Sequence, residues 1–328
     1  MVNVKTCYFL VLTIPYSYMP ELPEVQTTVN GLNKHVIGKR ITAVWSDLPK
    51  KKVARKDFEK TIKSEKFFRE FERSVIGKKI VSAKRRAKNI LIELSSRDTI
   101  HIHMKMTGHL MYGKYEYSKK TNSWKPKETK ENTYLLDPYN RFVHLVFNLS
   151  DGKHLVMSDT RKFAKVTLIQ KGKDIEIELG GLGPEPLDKN FNFEKFEKVL
   201  LNKKSWPIKH TLLDQGTIAG IGNIYSDEML WSSGIHPKST TGKIPKEKLS
   251  SLYKSMKIVL QKGLDFGGDS MSDYRNIEGK PGSFHHKHNV YRKKGQACRK
   301  KNCSGVILRE VVKGRSAHFC SEHQELFR

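Results

Sequence analysis

The hydrophobic period changes near residue 180, and that change separates two kinds of structure. From Ile41 to about residue 180 the apolar residues fall in short alternating runs: Ile41-Thr-Ala-Val-Trp, Ile90-Leu-Ile-Glu-Leu, Thr99-Ile-His-Ile-His-Met, Phe142-Val-His-Leu-Val-Phe-Asn-Leu and Lys165-Val-Thr-Leu-Ile. A period of two puts alternate side chains on opposite faces, so several such runs joined by polar turns predict an antiparallel β-sandwich. Leu182-Gly-Pro-Glu-Pro-Leu then marks a linker. From Phe193 to about Phe266 helical spacing takes over and strand signals are scarce. One helix precedes the sandwich, because Val25, Val29, Leu32 and Val36 recur on one face and Gly38 supplies a stop. The polar, lysine-rich stretch 115–134 predicts an exposed hairpin or loop, and no internal repeat is present. The expected class is α+β: an antiparallel sandwich with an N-terminal helix over residues 20–180, a helical unit over 190–275, and a small basic piece over 285–328.

That last piece carries Cys298-x4-Cys303 and, sixteen residues on, Cys320-x2-His323. Two pairs of nitrogen and sulfur donors at knuckle spacing are the pattern that holds tetrahedral Zn2+ on two turns of a β-hairpin. His318 competes with His323 for the fourth place. A disulfide is disfavoured, because three cysteines do not pair evenly and the fourth, Cys7, lies far away in the N-terminal segment. A hairpin this small needs its metal to stay folded, and with four protein ligands the zinc is structural, leaving no position for water.

Charge narrows the partner. Against 34 acidic residues stand 61 lysines and arginines, a formal charge of +27, which is the footprint of a polyanion binder, nucleic acid first. Runs such as Lys50 to Lys52 read equally well as a solvated face. No basic amphipathic helix or long apolar span points to a membrane.

Residues 19–25, Met-Pro-Glu-Leu-Pro-Glu-Val, place a proline directly behind a methionine. Were Pro20 the first residue, its secondary amine could attack a sugar carbon and carry an iminium through the reaction. An α-amino group titrates near ~8 rather than the ~10.4 of lysine, and the positive end of the following helix lowers it further. Glu21 is the adjacent proton shuttle. An ordinary helix start is the alternative, since Pro23 and Glu24 both suit a first turn.

Together, MPELPEV, LLDQGTIAGIGNIYSDEMLWSSGIHP at 212–237 and the cysteine-bearing hairpin resemble the formamidopyrimidine-DNA glycosylase family, in order from Met19 to the C-terminus. The resemblance implies a helix-two-turn-helix domain and a zinc-finger hairpin, with damaged double-stranded DNA in the cleft beside the sandwich. It implies a bifunctional enzyme: Pro20 displaces an oxidised purine, Glu21 moves protons, and β,δ-elimination cuts the strand. Lys88, closing the basic run Lys84-Arg-Arg-Ala-Lys88 that is expected as a charged turn ahead of the strand Ile90 to Leu94, corresponds to the family's essential lysine. Arg315 corresponds to the hairpin arginine at the lesion phosphate, and Asn223, after Gly220-Ile-Gly222, to a phosphate ligand at a helix N-terminus. Met106, Arg161 and Phe163 match the residues that fill the gap left by the extruded nucleotide, with Arg161 facing the estranged base; core packing is the alternative for Met106 and Phe163. Lys204 matches a further DNA contact. The sequence departs from the family pattern in its longer first knuckle and its histidine ligand. Phe142 stands where a DNA-contacting histidine is usual, and Asp269 to Phe284 falls at the base-capping loop. An endonuclease VIII type enzyme, acting on oxidised pyrimidines, is the alternative within the same scaffold. The expected setting is cytoplasmic, nucleoid-associated in a bacterium, with the protein acting as a monomer.

Residues 1–19 are expected to be a leader. Cys7 to Ile14 form an apolar run after Lys5, yet no small-residue cleavage motif follows. Any residue joined to Pro20 turns its amine into an unreactive amide, so the segment ahead of Met19 is expected to be an upstream mis-start or to be removed. If it stays attached, only a non-catalytic, zinc-containing DNA-binding protein remains.

Overall fold

The structure is a computed structural model that describes residues 19–127, 133–271 and 273–328. The leader ahead of Met19, with Cys7, and residues 128–132 of the lysine-rich stretch lie outside the described residues.

The first helix, α1 (Leu22–His35), buries Leu22, Val25, Val29 and Leu32, the face set by the helical spacing of its apolar residues. Its start is fixed by Glu24, whose Oε2 accepts the Glu21 N–H at 2.7 Å, a carboxylate doing the N-terminal capping that backbone alone leaves undone. Gly38, at φ +85°, turns the chain into the sheet.

Two four-stranded antiparallel sheets follow, built from β1 (Ile41–Ser46), β2 (Ile80–Arg86), β3 (Asn89–Leu94), β4 (Thr99–His103), β5 (Gly108–Gly113), β8 (Val143–Leu149), β9 (His154–Asp159) and β10 (Lys165–Ile169). Their orders are β1-β8-β9-β5 and β10-β4-β3-β2. Inward residues of one sheet (Val44, Leu110, Leu145, Phe147) share a core with those of the other (Ile90, Ile92, Ile102, Val166). Each such side chain taken from water is worth about 1.5–3 kcal/mol. The expected exposed hairpin is present as β6 (Tyr115–Ser118) and β7 (Ser123–Pro126). Two features differ from expectation. Lys84, Arg85 and Arg86 lie within β2, not in a turn ahead of a strand, because Ile80 and Ala83 supply that strand's buried positions. A further helix, α2 (Glu65–Val75), anchors to the sandwich through Phe71 and Val75.

The second half comprises α3 (Ile175–Leu179), α4 (Phe193–Leu201), α5 (Ile208–Leu213), α6 (Asn223–Ser233) and α7 (Lys246–Asp265), with a separate core around Leu212, Tyr225, Leu252 and Leu260. Helix α6 is its axis. Nearly every residue of α6 is buried, Asp227 and Glu228 included, so it shows no polar face and every buried charge on it needs a partner. Strands β11 (Ile307–Val312) and β12 (Arg315–Cys320) form the C-terminal hairpin and pack against α6.

The halves meet along α1. Leu22 N donates to Gly220 O at 3.1 Å, and Gly263 of α7 lies so close to Tyr225 and Pro23 that a Cβ would sit 2.5 Å and 2.9 Å from them. The linker is bonded on both sides. Glu185 holds Arg85 at 2.6 Å and Arg86 at 3.2 Å, while Gly183 N donates to Gln215 O at 2.8 Å and Pro184 O accepts from Ala219 N at 3.0 Å. No helix among the described residues is long and apolar enough to cross a membrane.

Candidate active site and metal centre

A cleft of about 710 Å3 opens where the sandwich, the helices and the hairpin converge. Glu21, Lys88, His103 and Met106 line it from one side, Gly222, Asn223 and Tyr291 from the second, and Arg309, Arg315 and Ser316 from the hairpin. Five expected site residues, Glu21, Lys88, Met106, Asn223 and Arg315, therefore share one cavity.

Glu21 is its floor. The carboxylate is 2 % exposed, and its Oε1 accepts the Ile224 N–H at 3.0 Å, so one residue joins the starts of α1 and α6. Burial pushes the Glu21 carboxyl up to about 7; Lys88 opposes the rise and Glu24 adds to it. A carboxyl that titrates near neutrality can both give and take a proton. Glu24, beneath it, accepts from the Tyr225 hydroxyl at 2.7 Å and the Asp269 N–H at 2.7 Å. Pro20 is buried beside Glu21, and Met19, to whose carbonyl carbon the Pro20 nitrogen is joined, lies in the cleft wall.

The two glycines ahead of α6 answer to this packing more than to open space for a phosphate. A Cβ on Gly222 would lie 2.3 Å from Glu21 Cδ, and one on Gly220, at φ +87°, 2.9 Å from the Leu22 side chain. Asn223 is the first residue of α6, and its Nδ2 donates to Ser316 Oγ at 3.2 Å. That bond seats the hairpin tip, with exposed Arg315, over the helix N-terminus. Lys88 sits half-buried in the two-residue turn between β2 and β3, after Ala87 at φ +54°. Burial lowers its pKa and Glu21 resists that lowering.

Sequence reasoning missed the support beneath. Lys209, fully buried, donates to Asn223 O at 3.0 Å, Ser226 Oγ at 2.8 Å and Asp227 Oδ1 at 2.6 Å. The other oxygen of Asp227 accepts the His318 N–H at 3.0 Å and lies 2.9 Å from His318 Nδ1. The ion pair is affordable only because every group in it is satisfied. Nothing in the run Trp-Pro-Ile-Lys-His signals Lys209. His103, on the cleft wall, was missed too; burial, with Lys105 and Lys88 nearby, holds it neutral, well below the usual imidazole pKa.

His318 is thereby removed from the metal question. Cys298, Cys303, Cys320 and His323 bring their donor atoms within 4.8 Å of one another. Around Zn2+, tetrahedral geometry sets S···S edges near ~3.8 Å and S···N edges near ~3.5 Å. Cys303 and Cys320 sulfurs are 3.5 Å apart, and His323 Nδ1 lies 3.4 Å from Cys298 Sγ and 3.8 Å from Cys303 Sγ. The three described cysteines form no disulfide. Backbone N–H groups of Lys300, Gly305 and Glu322 donate to the three sulfurs at 3.4 Å each, and Trp231 O lies 3.0 Å from His323 Nε2, fixing the ring. A Cβ on Gly305 would approach Cys320 Sγ to 2.5 Å. The donor set fits one zinc ion.

At the lip, Met106 is half-buried, while Arg161 is exposed with its guanidinium 4.6 Å from the Phe163 ring centre. Phe163 is 40 % exposed, so core packing does not account for it. One buried carboxylate organises both loops: Asp159 accepts the Thr107 hydroxyl, the Arg161 N–H at 3.3 Å and the Ala164 N–H at 2.7 Å. Phe142 ends the turn before β8 with Arg141 over its ring. Lys204 does not join the cleft; it is exposed in the turn after α4, its carbonyl accepting from Gly242 N at 2.8 Å. Of the segment expected at the base-capping loop, residue 272 lies outside the described residues, and 273–284 is fastened to the sandwich by Arg275 Nε to Asp137 at 3.0 Å and Tyr112 N to Ile277 O at 2.7 Å.

Comparison with known proteins agrees with this geometry. Residues 19–166 match the formamidopyrimidine-DNA glycosylase N-terminal domain and residues 182–275 its H2TH domain. Formamidopyrimidine-DNA glycosylase of Heliobacterium modesticaldum is 36 % identical over 94 % of this chain and all of its own length. The Bacillus subtilis protein is 34 % identical over 93 % of this chain and 99 % of its own. Among solved structures, a Lactococcus lactis Fpg mutant in complex with Fapy-dG-containing DNA superposes with a TM-score of 0.76 at 28 % identity, covering 93 % of this chain and 100 % of that one. MutM in complex with carbocyclic 8-oxo-G-containing DNA reaches 0.75, also at 28 % identity. The chain belongs to the formamidopyrimidine-DNA glycosylase family, DNA glycosylases of base excision repair.

Proposed function

We propose that this protein removes oxidised purines, 8-oxoguanine and formamidopyrimidines, from double-stranded DNA and then cuts the strand, with the Pro20 nitrogen as nucleophile. The observation that carries the reading is Glu21: a buried carboxyl raised to about 7, next to Pro20, in a cleft it shares with Lys88, Asn223 and Arg315. The purine assignment draws on the Fapy-dG and 8-oxo-G complexes of the similar proteins.

Pro20 attacks the sugar carbon; the glycosidic bond breaks with its electron pair going to the base, which takes a proton by way of Glu21. Opening of the sugar ring converts the new C–N bond into an iminium. Loss of the adjacent sugar proton then expels the 3′ phosphate, and a second elimination expels the 5′ phosphate. Lys88, Asn223 and Arg315 hold the phosphates that keep the sugar within attack distance. Met106, Arg161 and Phe163 occupy the gap left by the extruded nucleotide, whose unstacking costs a few kcal/mol, and Lys204 is an outlying contact. Cys298, Cys303, Cys320 and His323 would hold a zinc ion that keeps the hairpin folded, and the hairpin presents Arg315. The working units are residues 20–180, 190–275 and 285–328, acting as a monomer in the cytoplasm.

The mechanism requires a free amine on Pro20, hence scission between Met19 and Pro20. Borohydride trapping on an 8-oxoguanine duplex is the test. Protein beginning at Pro20 is expected to form a covalent adduct, and the chain retaining residues 1–19 is not. No adduct from the former defeats the mechanism, and trapping on oxidised pyrimidines instead of purines defeats the substrate assignment.

A further inference from the structure

Lys105 occupies the turn between β4 and β5 with φ +55°, a conformation residues with a Cβ rarely adopt. The turn would form more easily with glycine there, so a lysine points to a use for the side chain. Lys105 is half-buried and lines the same cleft as Met106, its neighbour in sequence. Its backbone N–H is tied to His103 Nδ1 at 3.0 Å, which holds the turn in place. Among the described residues its ammonium makes no hydrogen bond or ion pair. The charges around it are Lys165, Arg55 and Asp57, and Asp57 is already engaged by Lys165 at 2.6 Å and Arg55 at 2.9 Å. A partly dehydrated cation among cations calls for an anion from outside the protein.

We propose that Lys105 is a further DNA-binding residue, its ammonium taking a backbone phosphate of the strand that lies along Met106. The inference rests on the DNA-repair reading above and extends its footprint onto the sandwich lip. Direct phosphate contact by a point charge gives affinity without base preference and a definite salt dependence.

The test measures binding of the full chain to a duplex holding a tetrahydrofuran abasic-site analogue over a series of KCl concentrations, with melting temperatures taken alongside. Lys105→Gly and Lys105→Ala are expected to weaken binding about 5–10-fold at low salt and to reduce the slope of log affinity against log salt by about 1, while Lys105→Arg keeps both. Lys105→Gly alone should raise the melting temperature, by roughly 1–3 °C, because only glycine relieves the backbone. Unchanged slopes in both neutral variants overturn the proposal. So does a loss confined to the glycine variant, which would assign the effect to the turn's backbone. If the parent chain itself shows no preference for the abasic duplex over an undamaged one, the repair reading fails; if that preference is present and the slope does not move, only the role of Lys105 fails.

Discussion

The floor of the cleft and its lip are built on opposite plans. At the floor, Glu21, Gly222, Asn223 and the hairpin lock one another in place through buried contacts: Glu21 accepts from Ile224, Gly222 leaves no space beside Glu21, and Lys209 and Asp227 bind α6 to His318 of the hairpin. At the lip, Arg161 and Phe163 project into solvent with the guanidinium over the ring, while their backbone is pinned by Asp159. The floor couples chemistry to folding, so a substitution there changes both. The lip separates them: its tips can be changed at little cost to the fold.

Four experiments sharpen or break that contrast. Removing the metal should do most, since structural zinc contributes on the order of 10 kcal/mol to a small domain. Cys303→Ser, or strong chelation, is expected to lower DNA affinity more than about 100-fold and to perturb the fluorescence of Trp231, whose indole N–H lies 3.4 Å from Cys298 Sγ. Elemental analysis should find one zinc per chain. Loss of zinc without loss of binding would detach the hairpin from the floor.

Next comes Gly222→Ala. Its Cβ would drive into Glu21, an overpacking cost of about 1–3 kcal/mol, so melting should drop by several degrees and trapping by about 100-fold together. A loss of trapping with melting unchanged would break the coupling.

Glu21→Gln keeps an acceptor for Ile224 and removes the charge. The folded carboxyl, raised from 4.5 to about 7, binds protons more tightly than the unfolded one. The parent therefore loses stability as pH rises from 4.5 through about 7, and the variant should melt higher than the parent at pH 8 but equally at pH 4. Base release should be blocked while lesion binding remains, and in the parent it should fall as pH climbs past about 7. A pH-independent difference in melting would show that Glu21 is not the titrating group.

Phe163→Ala should do least to the fold. Melting is expected to stay within about 1 °C, as for an exposed side chain, while affinity for a lesion duplex falls a few-fold. A drop of several degrees would mean that the lip is as interlocked as the floor.

How much of this was legible follows the same division. Helix α1, the strands with alternating apolar residues, and the cysteine knuckles are local patterns, and each appears where its period or spacing put it. Strand β2 looks locally like a basic turn, because only Ile80 and Ala83 are buried in it. Helix α2 hides its few apolar anchors among three glutamates, two arginines and a lysine. The buried polar network was illegible for a different reason: Glu24 pairs with Tyr225, Arg85 with Glu185, and Asp227 with His318, separations of roughly 90 to 200 residues that no local pattern encodes. Spacing likewise left His318 and His323 as equals; the carboxylate of Asp227 decides between them.

The doubly bonded linker has one more consequence. With Glu185 gripping the β2–β3 turn and Gly183 and Pro184 bonded to the helical half, the aperture between the two lobes is preset. Deformation then falls on the duplex, whose stiffness makes a sharp bend cost about 1–6 kcal/mol where stacking is intact and less at a weakened step. On the repair reading proposed above, a preset aperture would act as a mechanical filter, admitting pliant, damaged DNA more readily than sound DNA.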